Sequence, residues 1–419
     1  MKIKPFKGLR PVKQLVKAVA SRPYDVLDSE EAREEAKGNP YSFLNVVKPE
    51  ITLSPDTDPY SPVVYETGKN IFQNLMNNKV FFQDLSDCFY LYELTMDGNT
   101  QTGIVACVAV DDYLNGNIKK HELTRPDKEN DRKRHVRISM LNAEPVFFTY
   151  RVVSRLDHLM KSIKDREPEY DFITDDEIKH RFWIISDNNV IDEIVFEFEK
   201  IPAVYIADGH HRTAAAALVG NDLKNENPNH TGKEEYNYFL AVHFPDQQLH
   251  ILDYNRVVKD LNGHDPESFL EILSGLFEIR KTGKQSHKPG KPHEIGMYLD
   301  GNWYALQAKP DSYNDNDPVG VLDVTILSKQ ILEPVLNIHD LRKDKRIDFV
   351  GGIRGLKELE RRVDNGEMAV AFAMYPVSMQ QLMEIADNGL IMPPKVTWFE
   401  PKLRSGLVVH SLKDELIIS

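Results

Sequence analysis

"AVYIADGHHRTAAAALVG", Ala203 to Gly220, sets an apolar run against an aspartate, a glycine, two histidines and an arginine, and follows them with four alanines. The apolar run reads as a strand, and Ala214 to Ala217 favour a helix. Asp208 to Arg212 therefore fall on the turn between the two. A strand that turns straight into a helix leaves the first backbone N–H groups of that helix unpaired, beside the positive end of its dipole. That is an anion site in outline. Gly209 permits the sharp turn and the close approach of a phosphate, Arg212 offers a planar fork to its oxygens, and the alanines let the helix pack tightly on a sheet. Asp208, at the end of the strand, suits either the alignment of a catalytic Mg²⁺ or the capping of the helix. A plainer reading of the same residues makes Asp208 a cap, the histidines satisfied surface groups and the alanines core.

Adjacent histidines point to different faces of a helix, unlike the i, i+4 pair of a zinc protease, and no cysteine lies close in sequence, so His210-His211 does not read as a zinc site. A GxxxxGK[ST] loop is absent from the sequence, which excludes a P-loop kinase.

With 419 residues, 41% apolar and 28% charged, the chain has the composition of a soluble globular protein of two or three domains. Its net charge of -13 argues against a large phosphate-backbone footprint, so a small anionic ligand is expected and a nucleic acid is not. The start "MKIKPFKGLRPVKQL" lacks a secretory signal and no long apolar run occurs, which predicts a cytoplasmic protein without a membrane partner. Cys88 and Cys107 are too few for a disulfide framework and read as buried thiols.

Working outward, residues 1–87 read as an irregular, proline-marked wrapping segment holding a short acidic helix at Ser29 to Ala32. A core over 88–262 begins with "FYLYELTM" and "GIVACVAV", joined across Asp97-Gly98 as a hairpin, the second run central in a sheet. "DKENDRKRHVRISMLN" reads as a solvated helix with Thr124 as cap and Pro126 in its first turn. "PVFFTYRV", "NYFLAVHF" and "HILDYNRVV" read as strands. A C-terminal sub-domain over 263–419 is expected to hold a capped helix at "DPESFLEILSGLFEIRKT", a hairpin at "GMYLDGNWYALQ" and a buried helix at "VLDVTILSKQILEPVL". Intermixed strands and helices without a repeat predict an α+β, or mixed α/β, architecture.

Three further stretches carry candidate chemistry. In "IKKHELTRPDKENDR", Glu122 sits between His121 and Arg125, where a neighbouring cation would hold it ionised and ready to accept a proton, although the same charges suit a salt-bridged helix start. In "GLIMPPKVTWFEPKLRSGL", Lys395, Lys402 and Arg404 are embedded among prolines and aromatics. "DFVGGIRG" offers Gly351 and Gly352 either as a turn or as a nest of N–H groups for an anion.

At "ADGHHRTAAA" the sequence resembles the ParB/sulfiredoxin superfamily, and within it the free serine kinases of the SerK/SbnI type, to which "HELTRPDKENDR" and "NGEMAVAFAMYPVSMQQLMEIADNGLIMPPKVT" are also similar, in the same order. Through "RPYDV", "GNPYSFL", "KKHELTRPDKE", "IADGHHR", "DYNRVVKDLNG" and "DKRIDFVGGIRG" it resembles over nearly its whole length a bacterial family of unknown function related to those kinases. The resemblance implies a ParB/sulfiredoxin-like nucleotide-binding core, a C-terminal sub-domain that closes the active site, and a kinase using ATP or ADP with Mg²⁺ on the hydroxyl of free serine or a similar metabolite. Carried over, Glu122 becomes the base, with Asp208 and His211 in the chemistry. Gly209, His210, Arg212, Thr213 and Arg125 fall on the nucleotide phosphates, and His121, Lys395 and Thr397 border the acceptor. The chain departs from the kinases at Trp398 and Phe399, where they carry an arginine and a histidine. A nucleotide-binding switch of ParB-like type, without turnover, is the rival reading. A cysteine would be needed at the turn for sulfiredoxin-like repair, and a histidine stands there.

Overall fold

Asp97 and Gly98 take positive φ values of 50° and 79°, as a two-residue hairpin turn of the primed type requires. They join the strands Phe89–Met96 and Asn99–Ala109, and Ile104 to Val108 of the second are completely buried, the central place its unbroken apolar run predicts. The computed structural model describes residues 1–414 of a mixed α/β chain. It divides into two units: Met1–Lys119 with Thr124–Leu249 and Pro401–Ser419, and Lys120–Leu123 with His250–Glu400.

In the first unit the strands Ile3–Lys4 (β1), Phe89–Met96 (β2), Asn99–Ala109 (β3), Ile118–Lys119 (β4), Val146–Tyr150 (β5), Tyr170–Ile173 (β6), Lys179–Ile185 (β7), Val204–Asp208 (β8) and Tyr238–Pro245 (β9) form one mixed sheet. Its order is β4-β8-β5-β9-β3-β2-β7-β6, with β1 added on β3. β8 lies next to the edge strand, parallel to β4 along Val204 and Tyr205 and antiparallel to β5, so its last residues, which lead into the opening motif's turn, are paired on the β5 side. The helices of this unit include Pro62–Asn77 (α1), Pro126–Ser139 (α2), Ser154–Lys164 (α3), Asn188–Glu199 (α4) and His210–Glu226 (α5). Leu156 and Ile163 of α3 and Ile194 and Phe198 of α4 share a core with Ile104, Ala106, Phe148 and Ile206 of the sheet.

Three expectations for this unit are corrected. The N-terminal stretch is not irregular throughout: α1 runs sixteen residues, begins on Pro62, and buries Val64, Tyr65, Phe72, Leu75 and Met76 along one side. Proline marks a helix start there rather than a connection, because the first turn has no use for the missing N–H. Nor is α2 a solvated helix, since Asp131, Arg132 and His135 are buried. Their polar atoms are satisfied inside the protein: Arg132 bonds Asp131 and the carbonyl of Val47, Tyr65 donates to Asp131, and His135 bonds the carbonyl of Val46. Arg125 rather than Thr124 holds the cap position, and the Thr124 hydroxyl donates instead to Glu129 at 2.6 Å.

In the second unit Tyr254–Val258 (β10), Phe277–Gly283 (β11), Glu294–Leu299 (β12), Asn302–Ala308 (β13), Ile347–Gly351 (β14) and Val370–Ala373 (β15) make an antiparallel sheet in the order β11-β13-β12-β15-β10-β14. Asp265 caps Pro266–Leu276 (α6), but the helix expected through "FEIRKT" stops there. Phe277 and Ile279 alternate with Glu278 and Arg280, a period of two that continues as β11. "HILDYNRVV" likewise divides at Asp253. His250–Leu252 pairs with Trp398–Glu400, while β10 enters the larger sheet. Asp253 spends its carbonyl on the N–H of Gly352 at 2.7 Å and its carboxylate on Asn255 and Lys288. Among the described residues no helix is long and apolar enough to cross a membrane.

Candidate functional site

The motif's strand does not end flat. Between Ile206 and Asp208 the register of β8 on β5 shifts, a bulge of the kind that re-aims the chain at the end of a strand. Gly209 follows at φ 91°, ψ 35°, and is itself the residue before α5, which runs seventeen residues without a side-chain cap. Asp208 is therefore not the helix cap that the plainer reading made of it.

Arg212 folds back over this turn. A Cβ on Gly209 would lie 3.1 Å from its Nε and 3.2 Å from its Nη2, so the glycine is required by close approach as well as by its backbone angles. The guanidinium is buried; Nη1 donates to the carbonyl of Pro145 at 2.9 Å, Nη2 to Asp208 at 3.3 Å, and Nε, also buried, has no partner among the described residues. Asp25 stands 3.9 Å from Nη2. Burial works against the charge, but the carboxylates of Asp25, Asp208 and Glu144 overcome it and hold Arg212 above its ordinary pKa. Glu144 is held by the N–H of Tyr24 and the hydroxyl of Ser405, each at 3.0 Å. Its own pKa is raised by burial, against the pull of Arg212 and Arg132. Asp208 also faces Lys402 at 3.6 Å. Thr213 is buried and its hydroxyl donates to the carbonyl of Gly209 at 2.9 Å, closing the first turn of α5. His211 accepts the N–H of Arg125 on Nε2 at 2.9 Å, which leaves the proton of the neutral ring on Nδ1. The Arg125 guanidinium pairs with Asp127 at 2.8 Å. The first unit thus gathers Asp208, Gly209, His210, His211, Arg212, Thr213 and Arg125 at one turn.

Glu122 and His121 belong to the second unit, with Lys395 and Thr397. His121 is buried; its carbonyl accepts the N–H of Met392 at 2.9 Å, and its Nε2 lies 3.5 Å from the Thr397 hydroxyl. Glu122 is half-buried. Lys395 sits at φ 59°, a left-handed conformation uncommon for a residue with a side chain. Arg256 holds it there: this fully buried guanidinium donates to the carbonyls of Lys395 at 2.9 Å, Pro394 at 3.4 Å and Tyr254. Burial, without a carboxylate to oppose it, brings Arg256 down to about 10. The departures at Trp398 and Phe399 have a packing cause. Phe399 is buried, and the Trp398 indole meets the Tyr254 ring edge-on and lies 2.8 Å from where a Cβ on Gly351 would stand. Gly351 and Gly352 are there for that approach and for the bond from Gly352 to Asp253, rather than as an anion nest.

Sequence reasoning missed Asp25, Glu144 and Arg256. "RPYDV" carries Asp25 but announces no partner, and only an arginine inside the apolar run of β10 hints at Arg256.

Compared with known proteins, the chain matches over residues 3–325 a family described as a protein of unknown function, DUF1015. The chain belongs to the DUF1015 family. No curated protein matches it. Among solved structures, this DUF1015 protein is similar to a conserved hypothetical protein from Pyrococcus furiosus, with 15% identity, 73% of this chain and 95% of that one covered, and a TM-score of 0.36. It is also similar to SbnI with a C-terminal truncation from Staphylococcus aureus (13% identity, 75% and 91% covered, TM-score 0.40). A third is a free serine kinase in complex with AMP (12% identity, 72% and 91% covered, TM-score 0.34).

Proposed function

We propose that this chain is an ATP- or ADP-dependent kinase that uses its turn in the ParB/sulfiredoxin-like manner and phosphorylates the hydroxyl of free serine or a similar small metabolite. One observation carries the reading: a left-handed glycine opens a long uncapped helix, and a charged arginine with an unpartnered Nε folds over it. The phosphates lie over Gly209 and the N–H groups of His210 and His211, with Arg212 and His211 facing the phosphoryl group in transfer. Glu122 takes the proton of the acceptor hydroxyl, whose oxygen forms the new P–O bond as the bond to the departing nucleotide phosphate breaks. His121, Thr397 and Lys395 border the acceptor. Chain continuity supports Glu122 as base, because it stands three residues before Arg125, whose N–H is held by His211. However the chain runs, its backbone stays within about 11 Å of that residue.

Mg²⁺ on the phosphates would supply charge neutralisation. This chain's part is the hard oxygen donor of Asp208, which fits that ion and already balances Arg212 and Lys402 within 4 Å.

The test is ³¹P NMR of the protein with ATP or ADP, Mg²⁺ and a panel of free hydroxy amino acids. A phosphomonoester should form, and should not form with Glu122→Gln. Undiminished product in that variant overturns the base; nucleotide binding without any product favours the switch.

A further inference from the structure

A second polar pocket lies in the first unit, with a cavity volume of about 320 Å³, the lower end of the range for small-molecule sites. Lys17, Arg22 and Glu35 of the N-terminal segment form one part of its wall, Asp175 and Asp176 after β6 another, and Arg404 its floor. Nothing in the proposed kinase reading uses these residues.

The pocket is built rather than incidental. Arg404 is 5% exposed, and its Nη2 donates to Thr174 at 3.3 Å and to Asp176, while Nε reaches His180 at 3.5 Å. These bonds fix the plane of the guanidinium, and among the described residues Nη1 has no partner. Burial opposes the charge on Asp176, but the Thr174 hydroxyl and Arg404 hold its pKa below the ordinary value, so its carboxylate is ionised at neutral pH. Ser21 and Ser42, both buried, continue the floor with hydroxyls 3.2 Å apart.

The charges around the cavity cancel. Lys17 faces Asp175 at 3.3 Å, Arg22 pairs with Glu35, and Arg404 with Asp176. Arg22 uses only one oxygen of Glu35, which leaves Oε1 open on the wall. A polyanion such as a nucleotide would meet three carboxylates here, and a simple cation three basic groups. A small molecule bearing one charge of each sign meets neither penalty: its carboxylate takes the open Nη1 of Arg404, and its ammonium the open oxygen of Glu35.

We propose that this pocket binds a small zwitterion of the free amino-acid class, at a site separate from the phosphate turn. The site needs no catalytic turnover and stands or falls independently of the kinase reading.

Each free L-amino acid is titrated into the full chain by calorimetry and thermal shift, with propionate and ethylamine as the two halves of alanine. At least one amino acid should bind and raise the melting temperature, and neither half should. Glu35→Gln, on the rim, and Arg404→Lys, on the floor, should each weaken that binding about tenfold. The rim variant guards against a floor variant that fails to fold. Because Glu35 and Arg404 have no place in the proposed kinase, weakened binding in their variants separates this pocket from the acceptor side. The inference is overturned if no amino acid binds, if propionate binds as tightly, or if Glu35→Gln binds like the unaltered protein.

Discussion

Replacing Gly209 by alanine tests the turn directly. At φ 91° the backbone there is left-handed, which costs a residue with a Cβ about 1–2 kcal/mol. The added carbon would lie 3.1 Å from Nε, 3.2 Å from Nη2 and 3.3 Å from Cζ of Arg212, so the guanidinium must yield by a few tenths of an ångström. Its ties to Pro145 at 2.9 Å and Asp208 at 3.3 Å resist that movement. Strained contacts of this kind add up to about 1 kcal/mol, which makes the total about 1–3 kcal/mol. For a unit of this size each kcal/mol lowers the melting temperature by about 2–4 °C. Gly209→Ala should therefore melt several degrees lower in differential scanning fluorimetry. Gly209→Asn, whose short amide tolerates the left-handed region, should fall in between. Because the same carbon crowds the proposed phosphate seat, ADP affinity measured by calorimetry should drop at least about tenfold, equivalent to 1.4 kcal/mol. An alanine variant that melts and binds ADP like the unaltered protein would refute the argument that this turn requires glycine.

Asp323 is buried and pushed up to about 7, because burial outweighs the 2.8 Å bond it accepts from the N–H of His293. A raised carboxyl contributes stability below its unfolded pKa and loses it as pH rises through 7, so Asp323→Asn should stabilise the protein by about 1 kcal/mol or more at pH 8 and give no gain near pH 4, as urea unfolding at the two pH values would show. His135 moves the other way, lowered to about 4 by burial and then by Arg132. The unfolded chain binds the extra proton between about 6.5 and 4, so stability is lost as the pH is lowered across that window, and His135→Gln should flatten the loss by up to about 1.4 kcal/mol per pH unit. Arg256→Met would leave three carbonyls without this donor, the buried one of Tyr254 and the partly buried ones of Pro394 and Lys395, a loss of about 1–3 kcal/mol in urea unfolding. Arg256→Lys should recover part of that, and hydrogen exchange over residues 392–397 should rise in the methionine variant first.

The sequence by itself determined the elements whose local chemistry is self-sufficient. Asp97-Gly98 takes the angles of its hairpin, Asp265 caps the helix that follows it, and the alanines after "DGHHR" continue a helix from the end of β8. It also named the turn at Gly209, because a glycine between a strand and a helix is a backbone statement that needs no partner. Tertiary structure decided what depends on distant residues. α2 looks solvated from its charges, yet Arg132 and His135 are buried because Val46, Val47 and Tyr24, all more than eighty residues away in the chain, supply their partners. Arg212 was legible as a cation at the turn. That it is ringed by Asp25, Asp208 and Glu144 was not, since a charge's partners are set by folding rather than by spacing along the chain. For the same reason Lys395 could be picked out by type, whereas the left-handed conformation it adopts, and Arg256 beneath it, came only from the packing of β10 against the loop at Pro394.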